Sequence, residues 1–151
     1  MGFTIRKSNL SDLTYVCNHL RILDKIEVWY QTGYQPEEAV RLTYLATEKN
    51  LTIAGNKDQV LGLCGVCDDG AIWMVGTDEL TRKKRDRVDL IKKGWEWVDS
   101  LLKSYNVLYN YVYAENTSAI KWLKALGFTF INLDPEYGHL KKPFYQFVRI
   151  T

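Results

Sequence analysis

Arg82, Lys83, Lys84, Arg85 and Arg87 put five basic side chains into six consecutive positions. Guanidinium and ammonium groups hold phosphates by charge and by hydrogen bonding. Trp73, Trp95 and Trp97 lie nearby in sequence, and bases interleaved with aromatics are one signature of nucleic-acid binding. Two features oppose that reading. Trp95 falls on the apolar side of an amphipathic pattern over 81–104, and the formal net charge of the chain is only +2. The plain alternative is a solvated first turn of a helix, although cations there oppose the helix dipole.

The sulfur and imidazole groups suggest less chemistry. Cys17, Cys64 and Cys67 are an odd number, and no apolar leader opens the chain, so reduced thiols in a cytoplasmic protein are expected. Cys64 and Cys67 form a lone C-x-x-C inside a strand-like run, where residues three apart point to opposite faces. His19 and His139 are remote from them in sequence. No metal site is expected, and no apolar run approaches the roughly 20 residues that span a bilayer.

The elements that would position these groups follow from periodicity. Residues 3–6 alternate and read as a strand. Leu13, Val16, Leu20 and Leu23, with Ile26 or Glu27, predict a helix over 11–29, with a break near Asp24 left open. Pro36 starts a second helix that ends near 49–50, with Val40, Leu42, Tyr44 and Leu45 on its apolar side. Runs 51–54, 60–67 and 71–75 predict an antiparallel meander. A long helix over 81–104 carries Val88, Ile91, Trp95, Val98 and Leu102. Run 107–113 is a strand, and 116–128 reads as a capped helix. Run 128–133 is the next strand, 135–142 a loop and 144–150 the last strand. Length and composition predict one domain over 1–151.

The block at 116–128, NTSAIKWLKALGF, supplies Asn116 or Thr117 as a cap, Ala119, Ile120, Leu123 and Leu126 at helical spacing, and Gly127 as a stop. It resembles the late strand-helix-strand segment of the GNAT N-acetyltransferase superfamily, N-x-x-A-x-x-L-Y-x-x-x-G-F. Asn116, Ala119, Gly127 and Phe128 match, whereas Leu123 replaces the Tyr taken as general acid. The whole order βααβββαβαββ is also that of this family. The resemblance implies an α/β (α+β) fold, a mixed central sheet of about seven strands flanked by four helices. The length, the NTSAIKWLKALGF block and the junction from WMV into the long helix are further similar to acetyltransferase-like, internal virion proteins of short-tailed bacteriophages.

What the resemblance implies is acyl-CoA-dependent N-acetyl transfer with acetyl-CoA as cofactor. Met74, Val75 and Gly76 would line one side of the cleft and Asn116 and Ala119 the other, with Arg82, Lys83 and Arg85 facing the phosphates. Arg85 and Arg87 stand where the family's phosphate loop carries glycines. The loop is therefore an anion site built on guanidinium groups, a degenerate site filled by long side chains, or a solvated turn. The fourth strand carries no acid, so Glu79, Tyr113 and Glu115 remain as catalytic candidates, beside Asp78 and Tyr111. Trp29, Tyr30 and Tyr34 fall where the acceptor, a small-molecule or protein amine, would enter. The other reading is a non-catalytic GNAT-like protein acting on a virion or host partner, located in the host cytoplasm or the virion.

Overall fold

The computed structural model describes residues 2–151 apart from the side chain of Arg85. The elements are β1 (Thr4–Lys7), α1 (Leu10–Asn18), α2 (Ile22–Thr32), α3 (Pro36–Ala46), β2 (Leu51–Ala54), β3 (Val60–Val66), β4 (Ile72–Gly76), α4 (Lys84–Leu101), β5 (Val107–Tyr113), α5 (Thr117–Ala125), β6 (Thr129–Tyr137) and β7 (Lys142–Ile150). The class is mixed α and β, as expected. The strands form two sheets, β1-β2-β3-β4 and β5-β7-β6. Every ladder within them is antiparallel.

The expected first helix is two helices, so five flank the sheets rather than four. Leu20 leaves the helical track to bridge Thr77 beyond the end of β4, and Arg21 is extended where α2 begins. A continuous helix would forfeit that bridge. The expected loop at 135–142 shrinks to a turn at 138–141, because Tyr137 pairs with Lys142 and stacks on Tyr111 at 4.0 Å. On α4 Leu90, Gly94 and Val98 are buried, so of the expected row Val98 turns in while Val88 and Trp95 are 64% and 41% exposed. The Arg149 guanidinium covers the Trp95 ring at 4.3 Å. On α3, Ala39, Val40 and Tyr44 are buried while Leu42 and Leu45 face out.

Burial of apolar surface holds three clusters together. One joins α4 and α5 to the second sheet through Val98, Leu108, Val112, Leu126 and Phe147. A second packs α1 and α3 on β3 and β4 through Val16, Val40 and Leu63. The third lies on the other face of the first sheet and includes Ile53, Leu80 and Leu90. α5 stops as its sequence requires. Gly127 has φ +86, and Phe128 N–H donates to the Leu123 carbonyl at 3.1 Å.

The two sheets meet where β4 and β5 run parallel. Ala71 bridges Tyr109, and Tyr109 N–H donates to the Gly70 carbonyl at 3.0 Å. No other bridge joins them among the described residues. Beyond that rung the strands part toward their C-terminal ends, and the opening positions the candidate site.

Candidate ligand cleft at the strand opening

Thr77 N–H donates to the Leu61 carbonyl on β3, so the alternation along β4 turns the peptide groups of Ile72, Met74 and Gly76 toward β5. Tyr109, Tyr111 and Tyr113 face them in the same way from β5. The rungs between these strands are filled by different means. Next to the direct bridge, the Asn110 side chain replaces one rung. Its Nδ2 donates to the Ile72 carbonyl at 2.7 Å, and its Oδ1 accepts from Tyr111 N–H at 2.8 Å. At the far end α2 fills the rung. Asp24 Oδ2 accepts from Gly76 N–H at 2.7 Å, Arg21 N–H donates to the Gly76 carbonyl at 3.0 Å, and Glu27 Oε1 accepts from Tyr113 N–H at 3.0 Å. Between these two rungs, the Met74 N–H and C=O face the opening, and no described side chain bonds them.

Glu27 and Asp24 lie three residues apart and therefore on one face of α2. Asp24 is also held by Arg21, whose Nη2 lies 3.0 Å from Oδ2. Burial pushes the Asp24 carboxyl above the usual carboxylate range, against the pull of Arg21. Burial pushes Glu27 up to about 7, against bonds from Tyr113 N–H and Asn116 Nδ2 that favour the charged form. Glu27 as a whole residue is only half-buried, but its carboxyl end is the buried part.

The cleft measures about 1020 Å³. Its walls include Met74 and Val75 of β4, Asn110 and Tyr111 of β5, and Asn116, Ala119 and Trp122 at α5. Arg87 and Lys121 are exposed cations on the α4 and α5 side, and Glu27 and Asp78 are acids on the other. Arg87 Nη1 donates to the Thr81 carbonyl at 2.8 Å. The buried Trp122 Nε1–H in the wall has no acceptor.

Of the residues singled out from sequence, Met74, Val75, Asn116 and Ala119 come together in this cleft. Gly76 sits at its end, covered by Asp24 and Arg21. Arg82 and Lys83 do not join them. With Glu79 they line a separate depression of about 60 Å³ beside Gly2, Phe3 and Gly55, and Arg82 pairs with Glu79. The expected side chain of Arg85 lies outside the described residues. Tyr113 donates to Glu115 Oε2 at 2.7 Å, and that bond pushes its phenol up to about 12. Neither group lines the cleft. Leu123 is buried in the α4–α5 core. Cys64 is buried and burial pushes its thiol up to about 12, while half-buried Cys67 lies 3.6 Å from Thr47 Oγ1. Among the described residues, no cluster of three or more His, Cys, Asp or Glu suits a metal ion. Among the described residues, no helix is long and apolar enough to cross a membrane.

Sequence reasoning missed Arg21, Asp24, Glu27 and Asn110. The usable signal was an acid where the helical period called for an apolar residue, at Asp24 and Glu27.

An antiparallel four-stranded sheet, a three-stranded sheet and a parallel opening between β4 and β5 define the fold of the GNAT N-acetyltransferases. Spermidine N-acetyltransferase from Vibrio cholerae, solved in complex with CoA and spermine, superposes with a TM-score of 0.70 at 16% identity, over 98% of this chain and 95% of that one. The same enzyme solved with manganese ions gives 0.65 at 17% identity, over 98% and 92%. Residues 49–135 match the family described as "Bacteriophage T7, probable scaffold protein Gp13", and the chain belongs to that family. The probable scaffold protein gp13 of Escherichia phage T7 is 38% identical over 74 residues, which is 46% of this chain. The match spans about half of that relative, 51% of its length.

Proposed function

We propose that this protein binds an acyl-CoA in the opening between β4 and β5 and transfers the acyl group to an amine. The observation that carries the reading is the open Met74 rung above a cleft of about 1020 Å³. An N–H and a C=O on an unpaired strand edge suit the amide-bearing arm of a coenzyme A. The Trp122 indole N–H is a further donor in the same wall. Arg87 and Lys121 would meet the phosphates, in place of Arg82 and Lys83. Asn116 and Ala119 would form the α5 wall. When bound, the thioester supplies an activated acyl carbon, a neutral acceptor amine attacks it, and the coenzyme leaves as a thiol that carries off the amine proton.

Isothermal titration with acetyl-CoA tests the reading, using wild type and Met74→Pro. Proline at Met74 removes a donor that faces the opening and leaves the β3 ladder intact. Binding at micromolar to sub-millimolar strength that Met74→Pro weakens at least about tenfold supports the site. Binding absent up to the millimolar range refutes it.

A second reading is favoured by membership of the probable scaffold family together with Leu123 at the general-acid position. In that reading the fold is kept for contacts with a virion or host protein, and acyl transfer is absent. Release of free thiol from acetyl-CoA in the presence of primary amines separates the two.

A further inference from the structure

α2 lies across the mouth of the cleft and holds both parting strands by their main chains. Arg21 N–H and Asp24 take the carbonyl and the N–H of Gly76 on β4, while Glu27 takes the N–H of Tyr113 on β5. These are the last inward-facing peptide groups on the two strands. A ligand running along the opening past Met74 meets groups that α2 already occupies.

The helix is attached differently along its length. Asp24 is its only buried residue, and Ile26, Val28 and Tyr30 are half-buried, so apolar burial holds it less firmly than the core helices. Ile22, Leu23 and Trp29 are 71%, 40% and 45% exposed. Its C-terminal end is pinned instead. The turn between β6 and β7 donates to it, from His139 N–H to the Gln31 carbonyl at 3.0 Å and from Leu140 N–H to the Tyr30 carbonyl at 3.1 Å. At its N-terminal end the extended Arg21 separates it from α1.

We propose that α2 is a hinged strap, pinned at Tyr30 and Gln31, that closes the mouth of the strand opening through Arg21, Asp24 and Glu27 and lifts when a ligand enters. The three strand-end bonds then break together while the helix stays intact. The regulation it imposes on the cleft rests on the acyl-CoA reading. The hinge itself does not, because it is measured without ligand.

Residue-resolved amide exchange on the full chain tests it. Arg21, Gly76 and Tyr113 N–H, corrected for intrinsic rates, are expected to exchange within about threefold of one another and about 100-fold faster than Leu63 N–H. Glu27→Ala, which removes the acceptor of Tyr113 N–H, is expected to speed exchange at Gly76, which Glu27 does not touch, by about fivefold. If that variant misfolds, Asp24→Ala read at Tyr113 gives the reciprocal measurement. Three unrelated rates, a common rate equal to that of Leu63, or an effect confined to the amide next to the substitution would overturn the strap. With acetyl-CoA as probe, Glu27→Ala is expected to tighten binding about three- to tenfold by raising the open fraction. If no variant binds acetyl-CoA, the acyl-CoA reading fails and the exchange data still decide the strap.

Discussion

Asn116 Nδ2 donates to Glu27 Oε1 at 3.2 Å across 89 residues of sequence. The same Asn116 caps α5, its Oδ1 accepting from Ala119 N–H at 3.4 Å. One buried amide therefore starts α5 and holds a carboxylate of α2 at the strand opening.

Asn116→Ala is expected to cost about 1–3 kcal/mol, from the lost cap and from a buried carboxyl left with one donor instead of two. Urea denaturation at pH 7 measures it. A loss under about 0.5 kcal/mol would mean that neither bond holds the native state.

Glu27 makes the stability of the fold depend on pH. Its folded value, raised by burial from 4.5 to about 7, exceeds the unfolded one. The folded state therefore binds the proton more tightly, and the stability this supplies is complete below pH 4.5 and lost as pH rises to about 7. The full loss is about 3 kcal/mol. The charged groups that act on Glu27 are Arg21 and Asp24, and across the opening it meets the neutral N–H of Tyr113. Glu27→Gln should flatten the stability profile between pH 5 and 8. An unchanged profile would place the titration elsewhere.

Arg82 and Arg87 should behave differently. The Arg82–Glu79 pair is solvent-exposed and outside the cleft. Arg82→Ala should leave stability within about 0.5 kcal/mol and acetyl-CoA affinity unchanged. Arg87→Ala should weaken acetyl-CoA about tenfold, the worth of one charged hydrogen bond. The opposite ranking in calorimetry would return the phosphates to Arg82 and Lys83.

Leu123→Tyr should destabilise by about 1–3 kcal/mol, because a larger ring enters the core between Val98, Val112 and Leu126. If the protein acts only by contact, the change restores no thiol release from acetyl-CoA. A measurable gain would refute that second reading.

The order of elements along the chain, the meander and the α5 unit were legible because local spacing encodes them. Asn116 caps, Gly127 stops, and Phe128 follows into the core. The joint at Leu20 was not legible, since its cause is a bridge to Thr77, far along the chain. Nor was the exposed placement of Val88 and Trp95, because helical period alone does not say which side of an apolar arc meets the sheet.

The sequence by itself determined a GNAT-type order of elements and brought Met74, Val75, Asn116 and Ala119 to one cleft, because strand alternation and helix capping are set by neighbours within a few residues. Only the tertiary structure decided that Arg82 and Lys83 turn away and that Asp24 and Glu27 turn in. Those outcomes depend on which peptide groups remain unpaired when β4 and β5 part. Gly76 and Tyr113 find their acceptors 52 and 86 residues away, and the need to pair buried N–H groups draws two acids into an otherwise apolar opening.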